Sequence, residues 1–241
     1  MERVYACNEP IIEGLDSTNS KYLCSLFVAI KCVSKDYIRY THHYENSQSI
    51  SATKESIERS NNEISHVERV FAYELYRQWC NQNIIRNTFG LVVNAEIPKQ
   101  FTDKIYYEGC HLYYPDMVLH SGQDNFKNNH IICEIKRKEY VDSYPEKMND
   151  DIKKLGIYVN DETKLKDENI DWNSFKLGVF LMTIKELKKY EEEEYSLDLI
   201  YKHLSKDILG LEDRITKKIV CAIYNGDELK YDTLYNMINK K

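Results

Sequence analysis

Residues 113–136 read YYPDMVLHSGQDNFKNNHIICEIK. Two runs rich in apolar and aromatic residues, Tyr113 to His120 and His130 to Lys136, flank the polar nine-residue segment SGQDNFKNN with its Gly122. That pattern predicts two strands joined by a hairpin loop. Side chains alternate along a strand, so Ile132, Glu134 and Lys136 share one face while Cys133 and Ile135 take the other. On the preceding strand Asp116, Val118 and His120 share a face. Pairing the two strands brings Asp116 within metal-bridging reach of Glu134, with Lys136 beside them.

Outward from this hairpin the pattern continues. Ile64, Val67, Phe71, Leu75 and Trp79 fall on one side of a helix over 64–79. LVVNAEI, residues 91–97, is β-branched and bounded by Gly90 and Pro98, which predicts a strand. Beyond the hairpin, Met148, Ile152, Leu155 and Val159 set a helix over 147–159. The apolar run FKLGVFLMT, residues 175–183, predicts a buried strand. The order is helix, three strands, helix, strand, an α/β core over residues 61–184. Residues 1–60 are expected to be a helical arm, with Leu23, Phe27, Ile30 and Val33 near helical spacing, followed by the polar linker ENSQSISATKESIERSNN. Residues 185–241, rich in Lys and Glu with Leu and Ile at helical spacing, are expected to be helical.

Composition narrows the function classes. Of 241 residues 42% are hydrophobic and 30% charged, which suits a folded domain and argues against global disorder. The sequence has no apolar run near the length of a membrane span, and MERVYACNEPIIEGLDS has no basic region followed by an apolar stretch, so a cytoplasmic protein without a membrane partner is expected. Its 7 cysteines form no C-x-x-C pair, which argues against structural zinc and favours reduced thiols. The net charge of −6 argues against a general nucleic-acid coat, because phosphate binding draws on Lys and Arg. It leaves room for a metal-dependent enzyme, whose site needs carboxylates. Residues 61–160 carry 12 basic against 14 acidic side chains, so the excess acid is not concentrated there.

The hairpin residues are the types that phosphodiester hydrolysis needs. Two carboxylates hold Mg²⁺, a hard cation that takes oxygen ligands, and the ion polarises a phosphoryl oxygen and lowers the pKa of water. A neighbouring lysine orients or deprotonates the attacking water, or offsets charge at phosphorus. Pro115-Asp116, an intervening loop, then Glu134-Ile135-Lys136 resembles the signature of the PD-(D/E)XK nuclease superfamily. The α-β-β-β-α-β order over 61–184 is similar to that family's restriction-endonuclease-like core, which implies a mixed central sheet. The resemblance covers about half of the chain and neither end.

It implies a Mg²⁺-dependent nuclease, with Mn²⁺ as a substitute, acting on nucleic acid with DNA as the expected class. Asp116 and Glu134 would bind the metal, the Ile135 carbonyl would join them, and Lys136 would position water. A further metal-ligand Glu often comes from the first core helix, and Glu68-Arg69 matches that position. Glu68 also falls on the apolar stripe with Phe71, Ala72 and Leu75, where a carboxylate needs a cation or donors. Ser65-x-x-Glu68 reads equally as a capping box, with Ser60-x-x-Glu63 one turn earlier as the rival cap. Glu74 lies further from the stripe's centre. Asp151-Ile152-Lys153-Lys154-Leu155 resembles the family's helix that turns a basic residue toward the site, with Lys154 ahead of Lys153. Lys138, in the run Lys136-Arg137-Lys138, is a candidate phosphate contact. Lysines between Leu and Ile are otherwise the solvated face of a helix.

Glu96, His111, His120 and His130 have the solvated polar surface as their default reading, and the tyrosines 106, 107, 113 and 114 that of packing. By analogy with nucleases that cut both strands, the helical ends offer a homodimer interface. Two rival readings remain, a nuclease fold that binds nucleic acid or protein without catalysis, and an unrelated α/β protein with chance surface acids. The complete Asp, Glu and Lys set speaks against the first.

Overall fold

The structure, a computed structural model, describes residues 12, 14–39, 68–95, 115–121, 128–161, 174–185 and 195–240. Helices α1 (Ser17–Cys32), α2 (Asp36–Arg39), α3 (68–80) and α4 (Asn83–Asn87) precede strands β1 (Leu91–Ala95), β2 (Met117–Ser121) and β3 (Asn129–Arg137). Helices α5 (Lys138–Ser143) and α6 (Pro145–Val159) then lead to β4 (Leu177–Thr183). Helices α7 (Asp198–Tyr201), α8 (Lys206–Leu209) and α9 (Asp213–Thr216) precede β5 (Ile219–Tyr224), β6 (Leu229–Thr233) and α10 (Leu234–Asn239).

The strands form one six-stranded sheet in the order β1-β2-β3-β4-β5-β6. Neighbours β1–β2, β2–β3 and β5–β6 are antiparallel, while β3–β4 and β4–β5 are parallel. The expected α/β class and mixed sheet are therefore present. Every residue of β4 and β5 is buried. Parallel strands covered by helices on both faces need such unbroken apolar runs. One core layer packs Leu23, Leu26 and Ile30 of α1 and Phe71 and Leu75 of α3 against Met117, Cys133 and Ile135. The other packs Met148, Ile152 and Leu155 of α6 against Val118, Ile132 and Phe180.

Three sequence expectations need correction, the tail, the cysteines and His130. The tail is not helical throughout, because β5 and β6 continue the sheet past residue 184. The run IVCAIY is apolar at every position but the last, and Asn225-Gly226 makes the turn, with Gly226 at φ 94° and Asn225 Oδ1 accepting from the amides of Asp227 (2.9 Å) and Glu228 (2.8 Å). A glycine there meets the left-handed backbone without a Cβ penalty. Cys24 is disulfide-bonded, whereas Cys32, Cys80, Cys133 and Cys221 are free thiols, so reduced cysteine does not hold throughout. Helix α1 packs on the sheet and belongs to the core. The polar linker, the proposed caps at Ser60 and Ser65, and Glu96, His111 and the four tyrosines lie outside the described residues. Among the described residues no helix is long and apolar enough to cross a membrane.

The register of β2 and β3 shifts between Leu119 and His120, which leaves His130 as an extra residue opposite the pair. This bulge turns His130 onto the α1 face, where Ser121 Oγ lies 2.8 Å from Nε2 and Asn19 Oδ1 3.1 Å from Nδ1. Tyr22 packs edge-on against the ring at 4.7 Å. Asn19 Nδ2 in turn donates to Asp16, the N-cap of α1, at 2.6 Å. His130 is thus half-buried structure tying α1 to the hairpin, not solvated surface. Burial lowers its pKa, so the neutral ring is favoured.

Candidate active site

Extending the Met117–Cys133 pairing by one residue sets Asp116 across from Glu134. Asp116 Oδ2 accepts the Ile135 amide at 2.6 Å, so a side chain carries on the ladder where the strand begins. Val118 and Ile132, two residues along, sit in the α6 core layer. Alternation therefore aims Asp116, Glu134 and Lys136 at the same side of the sheet. The hairpin register delivers the predicted trio to one place.

Lys136 is the hub. Its Nζ donates to Glu68 Oε1 at 3.0 Å and to the Ile135 carbonyl at 2.9 Å, and lies 3.4 Å from Asp151 Oδ2. Lys154 Nζ donates to Asp151 Oδ1 at 2.6 Å. Two basic groups thus face four carboxylates, those of Asp116, Glu134, Glu68 and Asp151. Burial opposes charge on Lys136, but Glu68, Asp116, Asp151 and Glu134 outweigh it and hold the ammonium well above its usual pKa. For Lys154 burial likewise opposes charge, and Asp151 raises its pKa on balance. Lys136 is therefore held in its charged form by the surrounding carboxylates.

The carboxylates respond in the opposite sense. Burial first, then the charges of Asp116 and Asp151, push Glu134 well above the usual carboxylate range, with Lys136 and Lys154 pulling it back. Burial also raises Glu68 to about 7, against the pull of Lys136. Glu68 thus holds its proton more readily than an ordinary carboxylate, beside a lysine that stays charged. Glu134 is 3% exposed, and its Oε1 has no hydrogen-bond partner; the same holds for Asp151 Oδ2, whose contact with Lys136 is an ion pair without hydrogen-bond geometry.

A buried carboxylate oxygen without a donor, inside a cluster short of positive charge, fits a hard divalent cation. Asp116, Glu134 and the Ile135 carbonyl are the groups placed to hold it. Among the described residues no three His, Cys, Asp or Glu side chains converge to enclose an ion. Mg²⁺ does not require such a cage, since it commonly rests on one or two carboxylates and keeps several waters. Glu68 serves Lys136 here and stands apart from that set.

The remaining candidates separate. Lys153 pairs with Asp207 on α8 at 2.8 Å, on an exposed surface, and is not brought to the carboxylates. Lys138 is buried and donates to Asp142 at 2.7 Å, whose other oxygen lies 3.1 Å from His203 Nε2. Glu74 accepts from Arg77 at 2.8 and 2.6 Å and from Gln78 at 2.7 Å, which holds its carboxyl below the usual range. Asp151 is the residue that sequence reading passed over. It falls beside Met148, Ile152 and Leu155 on the buried stripe of α6, the same signal that singled out Glu68. No family model, curated protein or solved structure matches the chain.

Proposed function

We propose that the chain is a metal-dependent nuclease of the PD-(D/E)XK type, with a restriction-endonuclease-like core, that hydrolyses phosphodiester bonds in nucleic acid. The observation that carries this reading is Asp116 across from a buried Glu134 with an unpartnered oxygen, and Lys136 alongside. Mg²⁺, or Mn²⁺ in its place, would rest on Asp116, Glu134 and the Ile135 carbonyl. When bound, the cation supplies Lewis acidity at a phosphoryl oxygen and charge for the leaving oxygen. Lys136, kept protonated, offsets charge on the phosphoryl group and orients water. Glu68, with a pKa of about 7, is matched to accept a proton at neutral pH. Lys154 lies near enough to Asp151 and Glu134 to meet an incoming phosphate. DNA is the substrate class that the resemblance implies.

The test is cleavage of plasmid, linear duplex, single-stranded DNA and RNA with and without Mg²⁺, beside Asp116→Asn, Glu134→Gln and Lys136→Met. Metal-dependent cutting that all three substitutions abolish supports the proposal; cutting that survives them removes the site assignment. One observation favours a second reading, a binding module without catalysis: Lys136 is already engaged by Glu68, Ile135 and Asp151. Tight metal-independent binding without cutting of any substrate would select it.

A further inference from the structure

Helix α5 begins directly after Arg137, at the carboxyl end of β3, which runs parallel to β4. In sheets built on parallel strands, ligands bind at that end. Val141 of α5 is buried in the layer of α6, so the helix lies on the side of the sheet to which Asp116, Glu134 and Lys136 are aimed. Lys138 donates to Asp142 one turn on, and Ser143 Oγ donates to the Glu139 carbonyl at 2.9 Å. Tyr140 and Tyr144 make the remaining stripe, since residues four apart are neighbours on a helix. Their ring centroids are 5.2 Å apart at an interplanar angle of 42°. Both side chains are half-buried, and among the described residues neither ring joins either core layer.

The backbone fixes the pair. The Tyr144 amide donates to the Tyr140 carbonyl at 2.8 Å, and the Tyr144 carbonyl accepts from the Lys147 amide at 3.0 Å. Tyr144 turns the chain from α5 into α6 with φ −139° and ψ 64°, and Pro145, whose ring locks φ, opens α6. Two extended steps and two helical residues separate Lys136 from Tyr140, which keeps their Cα atoms within roughly 12 Å. Burial raises the Tyr140 pKa, and the charges of Lys136, Glu68 and Asp151 act on the phenol as well. The ring thus borders the carboxylate cluster. A base in a duplex has its faces covered by its neighbours in the stack, whereas an unpaired base can lie on an aromatic side chain.

We propose that Tyr140, backed by Tyr144, is a stacking platform for an unpaired base beside the scissile phosphate, so that the site takes single-stranded nucleic acid, an inference that rests on the phosphodiesterase reading of Asp116, Glu134 and Lys136. Tyr140 holds the strand and takes no part in bond breaking. Every base has a π-face, so the platform carries little sequence preference.

Fluorescence anisotropy of the full chain tests it, with Ca²⁺ in place of Mg²⁺ to prevent turnover. The labelled probes are a single-stranded 12-mer, a 12-mer of abasic sites and a 12-base-pair duplex. Tyr140→Ala should weaken the single strand about tenfold and leave the abasic strand and the duplex within about twofold. Tyr140→Phe, which keeps the ring and drops the hydroxyl, should stay within about twofold of the parent on all three. The parent itself should bind the abasic strand at least about tenfold less tightly than the single strand, a comparison that needs no variant. Unaltered single-strand affinity in Tyr140→Ala, equal weakening of single strand and duplex, a Phe variant as weak as the Ala variant, or abasic binding as tight as that of the single strand overturns the platform. Cleavage by the parent separates the two claims. Tyr140-dependent binding of the single strand without Mg²⁺-dependent cutting keeps the platform and removes the catalytic reading. Mg²⁺-dependent cutting of single strand and duplex alike, untouched by Tyr140→Ala, keeps the catalytic reading and removes the platform.

Discussion

Glu68 Oε1 and Lys136 Nζ meet at 3.0 Å, although the apolar stripe of α3 packs on the opposite side of the sheet from α6. The contact is possible because Glu68 lies at the first described turn of α3 and Lys136 near the end of β3, where the chain leaves the sheet for α5. With side-chain exposures of 14% for Lys136 and 17% for Glu68, the pair is screened little by water. Lys136→Met leaves Glu68 and Asp151 without their shared cation. The expected loss is about 3 kcal/mol, the lower end for a broken buried pair, since Glu68 can take up a proton. Urea unfolding reads this directly. The double variant with Glu68→Gln should lose less than Lys136→Met alone, and an unshifted midpoint in Lys136→Met would remove the hub.

Glu68 also sets a pH dependence. Its carboxyl titrates near 7 in the folded chain against a reference value of 4.5. Between those values the folded state holds a proton that the unfolded chain has released. Its stabilising contribution is complete below pH 4.5, declines as pH rises to 7, and is gone above it. The difference corresponds to about 3 kcal/mol. Unfolding free energies of the parent minus those of Glu68→Gln should therefore fall between pH 4.5 and 7 and level off beyond. A difference that stays constant with pH would place Glu68 in water rather than in the cluster.

How much of this was legible follows from the type of signal. Strands β2, β3 and β4 and helix α6 have clean periodicity, and the face shared by Asp116, Glu134 and Lys136 follows from alternation alone. Strands β5 and β6 were masked by the lysine and glutamate around them, although IVCAIY followed by Asn225-Gly226 is a hairpin signal. Asp151 is hidden in the sequence by its neighbours Lys153 and Lys154, which give the segment the pattern of a basic helix. The stripe argument had placed Glu68 in the core, yet whether it meets a metal or a lysine depends on packing between layers, which a single sequence does not encode. His130 reads as surface in the sequence because a bulge cannot be seen from alternation.

Asp151 links both lysines of the cluster, at 2.6 Å to Lys154 and 3.4 Å to Lys136. Asp151→Asn keeps the shape and removes the charge. Groups that orient the residues of a metal site typically matter by about 10- to 100-fold in activity. The substitution should lower kcat by that order with KM nearly unchanged, whereas Lys153→Ala, on the exposed surface with Asp207, should alter neither. Equal losses from the two would show that any change on α6, and not this arrangement, lowers cleavage.

Helix α6 reaches the sheet through a glycine, and this sets where Asp151 stands. A Cβ on Gly178 of β4 would lie 3.2 Å from Leu155 Cβ and 3.4 Å from Val159 Cγ1. Since the nearest atom is itself a Cβ, no rotamer change relieves the contact, and α6 or β4 must give by a few tenths of an ångström. Overpacking of this kind destabilises by about 1–3 kcal/mol. A helix shifted even that little lengthens the contacts of Asp151 with Lys136, so Gly178→Ala should lower the urea midpoint and, more weakly, the cleavage rate. Gly156, on α6 itself, supplies the control. A Cβ there meets Ile215 Cγ2 at 3.4 Å and Leu211 Cδ1 at 3.8 Å, ordinary contacts with side-chain ends. Alanine is favoured over glycine inside a helix by up to about 1 kcal/mol. Gly156→Ala should therefore hold or raise stability with cleavage intact. If Gly178→Ala behaved in the same way, the helix could stand further from the sheet than this packing requires, and the position of Asp151 would no longer be set by that close approach.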